Sequence, residues 1–168
     1  MKKELSIDDL KKVIKYDEAT GSFSWLNTES IHPRMRGKVA GTKRKDGYLQ
    51  INIFGACYLS HRLAWFYSNG HWPSEIIDHA DGNRENNRIA NLRLASPCEN
   101  QYNRVKSKSN SSGAKGVTFC SRSGKWIAKV RLKKEMHFLG RFDDIELASL
   151  VANQFREKYH GEFCRHGS

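Results

Sequence analysis

The chain has 168 residues, a formal net charge of +11, a hydrophobic share of 38% and an aromatic share of 11%. That apolar content builds packed cores and excludes wholesale disorder, while the longest apolar runs fall well short of the roughly 18 residues that a membrane-spanning helix needs. The opening MKKELSIDDLKK lacks the apolar segment of a secretory signal, so a cytoplasmic protein is expected.

The charge is uneven. Residues 1–103 carry 15 basic and 12 acidic side chains, whereas residues 104–168 carry 14 and 6. A basic C-terminal third is the footprint of a polyanion partner, most simply nucleic acid, although a basic protein without such a partner has the same composition. Cys57, Cys98, Cys120 and Cys164 form no CxxC pair. This disfavours a zinc ribbon or finger and predicts free, buried thiols.

In chain order, Ser6-Ile7-Asp8-Asp9 has the form of a capping box, and Ile7, Leu10, Val13 and Ile14 follow at helical spacing. Together they predict a helix over 6–15. Residues 17–21 are a turn, and Phe23 and Trp25 begin a strand. A basic loop follows, and its Arg34, Arg36, Lys38, Lys43, Arg44 and Lys45 either contact phosphates or are simply solvated. Asp46-Gly47 marks a hairpin. Leu49, Ile51 and Ile53 alternate with polar residues as a half-buried strand does. A second strand from Cys57 to Leu59 and a short helix from His61 to Tyr67 complete this part. Beyond residue 115, strands starting at Val117, Trp126 and His137 form an antiparallel meander. A helix capped by Asp144 then places Ala148, Val151, Ala152, Phe155 and Tyr159 on one face. A three-stranded sheet with one helix across it is a complete small domain.

The densest polar cluster is residues 76–100. Ile76 to His79 reads as a strand ending in an Asp-His pair, residues 81–91 as a polar loop, and Leu92 to Ala95 as a second strand. Ser96-Pro97-Cys98-Glu99 is a capping box with proline at the first helical position, which puts Asn100 in the first turn of a helix. A carboxylate with an amide oxygen is a hard donor set that suits Mg2+ or Mn2+ retaining several waters. A neutral histidine beside it can serve as a general base. On the residues alone, a purely structural Asp-His pair in an Asx-rich loop stands as the alternative.

The residues Asp78-His79, Asp81-Gly82-Asn83, Asn86-Asn87, Asn91-Leu92 and Glu99-Asn100, with His61-Arg62-Leu63-Ala64-Trp65 upstream, occur in the order of a known pattern. The segment resembles the HNH endonuclease motif in the variant whose last histidine is asparagine, as found in phage and intron-encoded homing enzymes. The resemblance implies a ββα-metal (His-Me finger) core in an α+β protein. It also implies hydrolysis of a DNA phosphodiester to a 5′-phosphate and a 3′-hydroxyl. His79 would be the general base, and Asp78 and Asn100 would be the catalytic metal ligands for Mg2+ or Mn2+. Asn91 would brace the loop, and Asp81, Asn86 and Asn87 would act as loop scaffolding.

The C-terminal residues Lys115-Gly116-Val117, Gly124 to Arg131, Leu139-Gly140-Arg141-Phe142, Glu146, Ala148 and His160-Gly161-Glu162-Phe163 are similar to an AP2-type DNA-binding domain. Strand alternation puts Trp126, Ala128 and Val130 on the core face, and Ile127, Lys129 and Arg131 opposite. The resemblance makes Lys115, Thr118, Arg122, Lys129, Arg131 and Phe138 a surface for double-stranded DNA. Arg104, Lys106 and Lys108 of the basic Ser/Asn/Gly stretch would track phosphates. Thr118, Cys120 and Met136 stand where arginine is common in plant transcription factors of the AP2 type, so the target of those proteins does not transfer.

The chain thus divides into an N-terminal helix and β-hairpin region (1–57), a nuclease core (58–103), a basic linker (104–114) and a DNA-binding domain (115–168). The reading is a phage-type endonuclease that nicks duplex DNA as a monomer. A non-catalytic, sequence-specific DNA-binding regulator is the alternative.

Overall fold

Ser6 caps the first helix by accepting a hydrogen bond from the Asp9 N–H at 3.1 Å. The structure, a computed structural model, describes residues 5–103 and 110–164. That helix, α1 (Ile7–Lys11), is shorter than the spacing of its apolar residues predicts. The chain leaves it after one turn and enters β1 (Ile14–Asp17), whose residues alternate buried and exposed. The β-branched pair Val13-Ile14 and the hairpin partner β2 (Ser22–Trp25) decide the outcome. Ile14 pairs with Trp25 and Tyr16 with Phe23, so a period of two overrides the helical one.

The chain divides into two compact units, residues 1–94 and 95–168. In the first, β3 (Val39–Ala40) pairs with β2, giving a sheet of order β1-β2-β3. A second antiparallel sheet contains β4 (Thr42–Lys43), β5 (Leu49–Ile53) and β6 (Ala56–Leu59), with the expected Asp46-Gly47 turn between the first two. Helix α2 (Ser60–Asn69) follows and ends on Gly70, which takes the left-handed conformation at φ 75° and donates its N–H to Phe66 O. A two-stranded sheet joins β7 (Ile76–His79) to β8 (Leu92–Ala95). Between them the polar loop closes in a 3-10 turn at Ile89–Asn91. One hydrophobic core draws on both sheets, on α2 and on β7, through Leu10, Ile14, Phe23, Ile51, Leu63 and Ile77.

In the second unit, Ser96 and Glu99 form the predicted reciprocal cap. Ser96 Oγ accepts from Glu99 N–H at 3.3 Å, and Glu99 Oε2 accepts from Ser96 N–H at 2.8 Å. They start α3 (Pro97–Tyr102), which carries Asn100. Strands β9 (Val117–Cys120), β10 (Lys125–Leu132) and β11 (Glu135–Phe142) form an antiparallel sheet of order β11-β10-β9. Helix α4 (Ile145–His160), capped by Asp144, packs on one face of it. Ala128, Ala148 and Ala152 are fully buried, and their small side chains let the helix lie close to the strands. Trp126 is half-buried against this core, and Tyr159 is 46% exposed with its ring 4.5 Å from Phe155.

A β-bulge interrupts β10–β11: Ala128 pairs with Gly140, but Lys129 pairs with Phe138. Leu139 is the extra residue, so Phe138 and Arg141 fall on the same face although they are three residues apart. The thiols are free but not buried, contrary to expectation: Cys57 is exposed and the other three are half-buried.

Candidate active site

Strand β7 delivers Asp78 and His79 to its C-terminal end, where both are buried, with 5% and 4% of their surface exposed. Adjacent strand residues point to opposite sides, and the two side chains engage different neighbours. Arg93 of β8 donates to Asp78 Oδ2 from Nε at 2.9 Å and from Nη2 at 2.8 Å. A buried carboxylate needs a cation, and Arg93 is the cation on the strand beside it.

His79 is held from the loop. Its Nε2 lies 3.1 Å from Asn87 Oδ1. The Asn87 amide is itself oriented, because its Nδ2 donates to Glu85 O at 3.3 Å. This network assigns the proton to Nε2 and leaves the basic lone pair on Nδ1. Burial pushes the His79 pKa below the ordinary histidine value, against the Asn87 hydrogen bond and the charges of Asp81 and Asp78. The imidazole is therefore neutral near pH 7.

Asn87 is almost wholly buried, and the N-terminal hairpin reaches over to fix it. Tyr16 of β1 donates its hydroxyl to Asn87 O at 2.7 Å. Burial raises the Tyr16 pKa to about 12, so the phenol remains a donor. Gly21, at φ +74°, lies so close that a Cβ there would stand 2.6 Å from the Asn87 carbonyl carbon and 2.4 Å from Arg88 N. Only glycine meets both demands.

A second imidazole adjoins the first. His61 of α2 packs edge-on to His79 with centroids 5.1 Å apart, and Tyr48 lies 5.1 Å from His61 and 5.9 Å from His79. Burial, the neighbouring His79 and Arg62 push the His61 pKa down to about 3. Its Nδ1 is buried without a hydrogen-bond partner among the described residues. Arg84 lies over the Tyr48 ring at 4.7 Å and donates to Asp46 O at 2.6 Å.

The rest of the loop is self-bonded. Asn91 accepts from Asp81 N–H at 3.0 Å and donates to Asp81 Oδ1 at 2.9 Å and to Asn86 O at 2.8 Å. Burial works against ionisation of Asp81, but hydrogen bonds from Asn86, Asn83 and Asn91 outweigh it and hold its pKa below the usual carboxylate value.

Asn100 is half-buried on α3, in the second unit, whereas Asp78 and His79 belong to the first. The described residues contain no cluster of three or more His, Cys, Asp or Glu side chains able to hold a metal ion. A carboxylate and an amide oxygen nonetheless fit a hard cation that keeps most of its waters, and the buried, Arg-anchored Asp78 is one such donor.

Of the residues expected to meet DNA, Thr118, Lys129, Arg131 and Phe138 are exposed on β9, β10 and β11, and Arg122 is exposed in the β9–β10 turn. Lys115 is half-buried, with its ammonium donating to Tyr102 O at 2.9 Å. Arg104, Lys106 and Lys108 lie outside the described residues. In the N-terminal basic loop, Arg36 donates to Ile31 O, Lys43 pairs with Glu85, and Arg44 pairs with Asp46. Arg34 and Lys38 are exposed.

The sequence reading gave Asn87 to scaffolding and made His61 a packed helix residue, and His61 is buried on α2. The structure puts both against His79. Nothing local announces these contacts, because His79 and Tyr16 lie 8 and 71 residues from Asn87.

Residues 58–102 match the family described as HNH endonuclease. The chain is 37% identical over 106 residues to "Protein 3.8" of Escherichia phage T7, covering 62% of this chain and 87% of that protein. It is 34% identical over 121 residues to "Uncharacterized HNH endonuclease L560" of Acanthamoeba polyphaga mimivirus, covering 71% and 62% of the two chains. It is 33% identical over 93 residues to "DNA endonuclease I-HmuI" of Bacillus phage SP01, covering 50% and 53%. No solved structure matches the chain.

Proposed function

We propose, from the match of residues 58–102 to the HNH endonuclease family and the likeness to relatives named as endonucleases, that the chain hydrolyses a phosphodiester of duplex DNA with His79 as general base. The observation that carries this reading is the Asn87–His79 hydrogen bond in a buried, desolvated site. It fixes the tautomer that a base requires.

In the reaction, Nδ1 of His79 takes a proton from the attacking water, while Asn87 keeps Nε2–H engaged and the ring oriented. Burial keeps the imidazole unprotonated and ready at neutral pH. The water attacks phosphorus, the bond to the 3′ oxygen breaks, the leaving oxyanion takes a proton from a solvent water, and the products are a 5′-phosphate and a 3′-hydroxyl. Asp78 and Asn100 are the residues that would hold Mg2+ or Mn2+. Arg93 steadies Asp78 from β8. When bound, the ion supplies Lewis-acid stabilisation of charge on the scissile phosphate and the leaving oxygen. One such site per chain cuts one strand per event, so the product is a nick and the cutting species is a monomer.

The C-terminal sheet and the basic stretch before it supply affinity and position on the duplex. Their cations contact phosphates, which makes binding strongly salt-dependent.

Supercoiled plasmid incubated with the protein and Mg2+, beside EDTA and Asp78→Ala controls, tests the reading. Conversion to open circles with metal and intact Asp78 is the expected result. Linear product at the earliest times would replace nicking by double-strand cutting. Tight duplex binding without conversion on any of several plasmids would favour a DNA-binding regulator instead.

A further inference from the structure

We infer that the open face of the β9–β10–β11 sheet reads thymine C5-methyl groups in the major groove through Phe138 and Met136. The inference rests on the reading of this sheet as the DNA-binding surface and adds what that surface recognises.

Three successive cross-strand pairs each couple a cation with an apolar side chain: Ile127 with Arg141, Lys129 with Phe138, and Arg131 with Met136. The bulge creates this arrangement, because without the extra Leu139 the face could not hold both Phe138 and Arg141. Directly opposed side chains in such a pair lie about 5 Å apart. Phe138 is 57% exposed and Met136 is 55% exposed, although α4 packs on the other face and could bury apolar groups there.

Phe138 and Met136 are neighbours on one face of β11, and contiguous exposed apolar side chains mark an interaction surface. The charge says what meets it. Among the described residues, the unpaired charges on this face are the cations Lys129, Arg131 and Arg141, and at its end Lys125 is paired with the exposed Asp143. The partner of this face is therefore a polyanion that also presents apolar groups at close spacing. Duplex DNA does so in the major groove, where the thymine methyl is the apolar group on the base edges. Successive pairs on a strand repeat about every 6.8 Å, close to two base-pair steps. Arginine and lysine suit guanine. The face thus fits a site in which guanines and thymines alternate within a few base pairs.

The test uses the full chain in EDTA, so that DNA is bound and not cut. A site is first selected from a random duplex pool. Each thymine is then replaced singly by deoxyuridine, which removes only the methyl. The expected result is a loss of about fourfold per contacted methyl. Phe138→Ala and Met136→Ala should each abolish the thymine–uracil difference at one position, with the fold checked by circular dichroism. Arg131→Ala should weaken binding to both duplexes alike. The proposal is overturned if no thymine in the selected site matters, if selection yields no preferred sequence, or if the difference survives in the double variant. If Arg131→Ala still weakens binding in those cases, only methyl reading falls. If Arg131→Ala has no effect either, the sheet is not the DNA-binding surface.

Discussion

Asp78, His79 and Asn87 are buried, whereas the C-terminal sheet exposes its cations. The three retain 5%, 4% and 1% of their surface, and each is met by a partner fixed in place. Lys129, Arg131 and Arg141 stand in solvent above a core of valine and alanine. On the proposed reading, the difference follows from what each set would do. A base needs one tautomer, one orientation and a neutral resting state, which burial and hydrogen bonds supply together. A surface that meets a phosphate backbone needs cations whose ions and waters leave readily, which solvation supplies. The buried Arg156 of α4 shows that the second unit is not simply polar-outside. It donates to Lys115 O at 2.7 Å and pairs with Asn153, tying the helix to the start of β9.

The sharpest way to break this division is His79→Ala. Cleavage should fall by about 100- to 10,000-fold, measured on supercoiled plasmid, while duplex affinity in EDTA stays the same. Cutting at the wild-type rate would remove His79 as the base. Arg93→Ala comes next, because it leaves Asp78 buried without its cation. A loss of roughly 2–4 kcal/mol in unfolding free energy is expected from urea titration, and a change inside experimental error would show that Asp78 does not depend on the pair. Tyr16→Phe removes one buried hydrogen bond and should cost about 1–2 kcal/mol, with slower cleavage as Asn87 loosens.

His61 tests the electrostatics of burial. Its pKa is about 3 in the folded state and near 6.5 when unfolded, so the unfolded chain binds the extra proton between those values. Stability is thus fully present above pH 6.5 and is lost as pH falls toward 3, by up to about 1.4 kcal/mol per pH unit. His61→Gln should flatten that dependence between pH 7 and pH 5. An unchanged slope would mean that His61 is not buried neutral. The smallest effect belongs to the exposed face. Arg131→Ala should weaken binding a few-fold; a salt slope lowered by about 0.9 would place Arg131 on a phosphate, and unchanged affinity would take it off the DNA.

Much of the architecture was legible because its signals are local. Ser96 and Glu99 cap α3, Asp46-Gly47 turns β4 into β5, and the alternation of Trp126 to Val130 gives the faces of β10, all within a few residues. The pair Asp78-His79 was legible for the same reason. The misreading of β1 shows the limit. Ile7, Leu10, Val13 and Ile14 satisfy a helix until Ile14 and Tyr16 find Trp25 and Phe23 across a hairpin. Arg93 against Asp78, Tyr16 against Asn87, and the placement of His61 beside His79 are tertiary events with no periodicity to betray them. The bulge belongs to this class too, since it is a property of two strands together.

The close approach of Gly21 to the backbone at 87–88 bears on what can be transplanted. Residues 58–102 hold the signature by which the family is recognised, yet the glycine and the tyrosine that seat Asn87 lie far upstream of it. A chimera that borrowed only the signature would inherit the histidine without its brace. Any side chain at the position corresponding to Gly21 in the recipient would drive the loop away from where His79 needs it. The smallest portable piece that brings Tyr16, Gly21, Asn87 and His79 together is the whole first unit, and a homologue swapped in at this locus should be matched first at its hairpin turn.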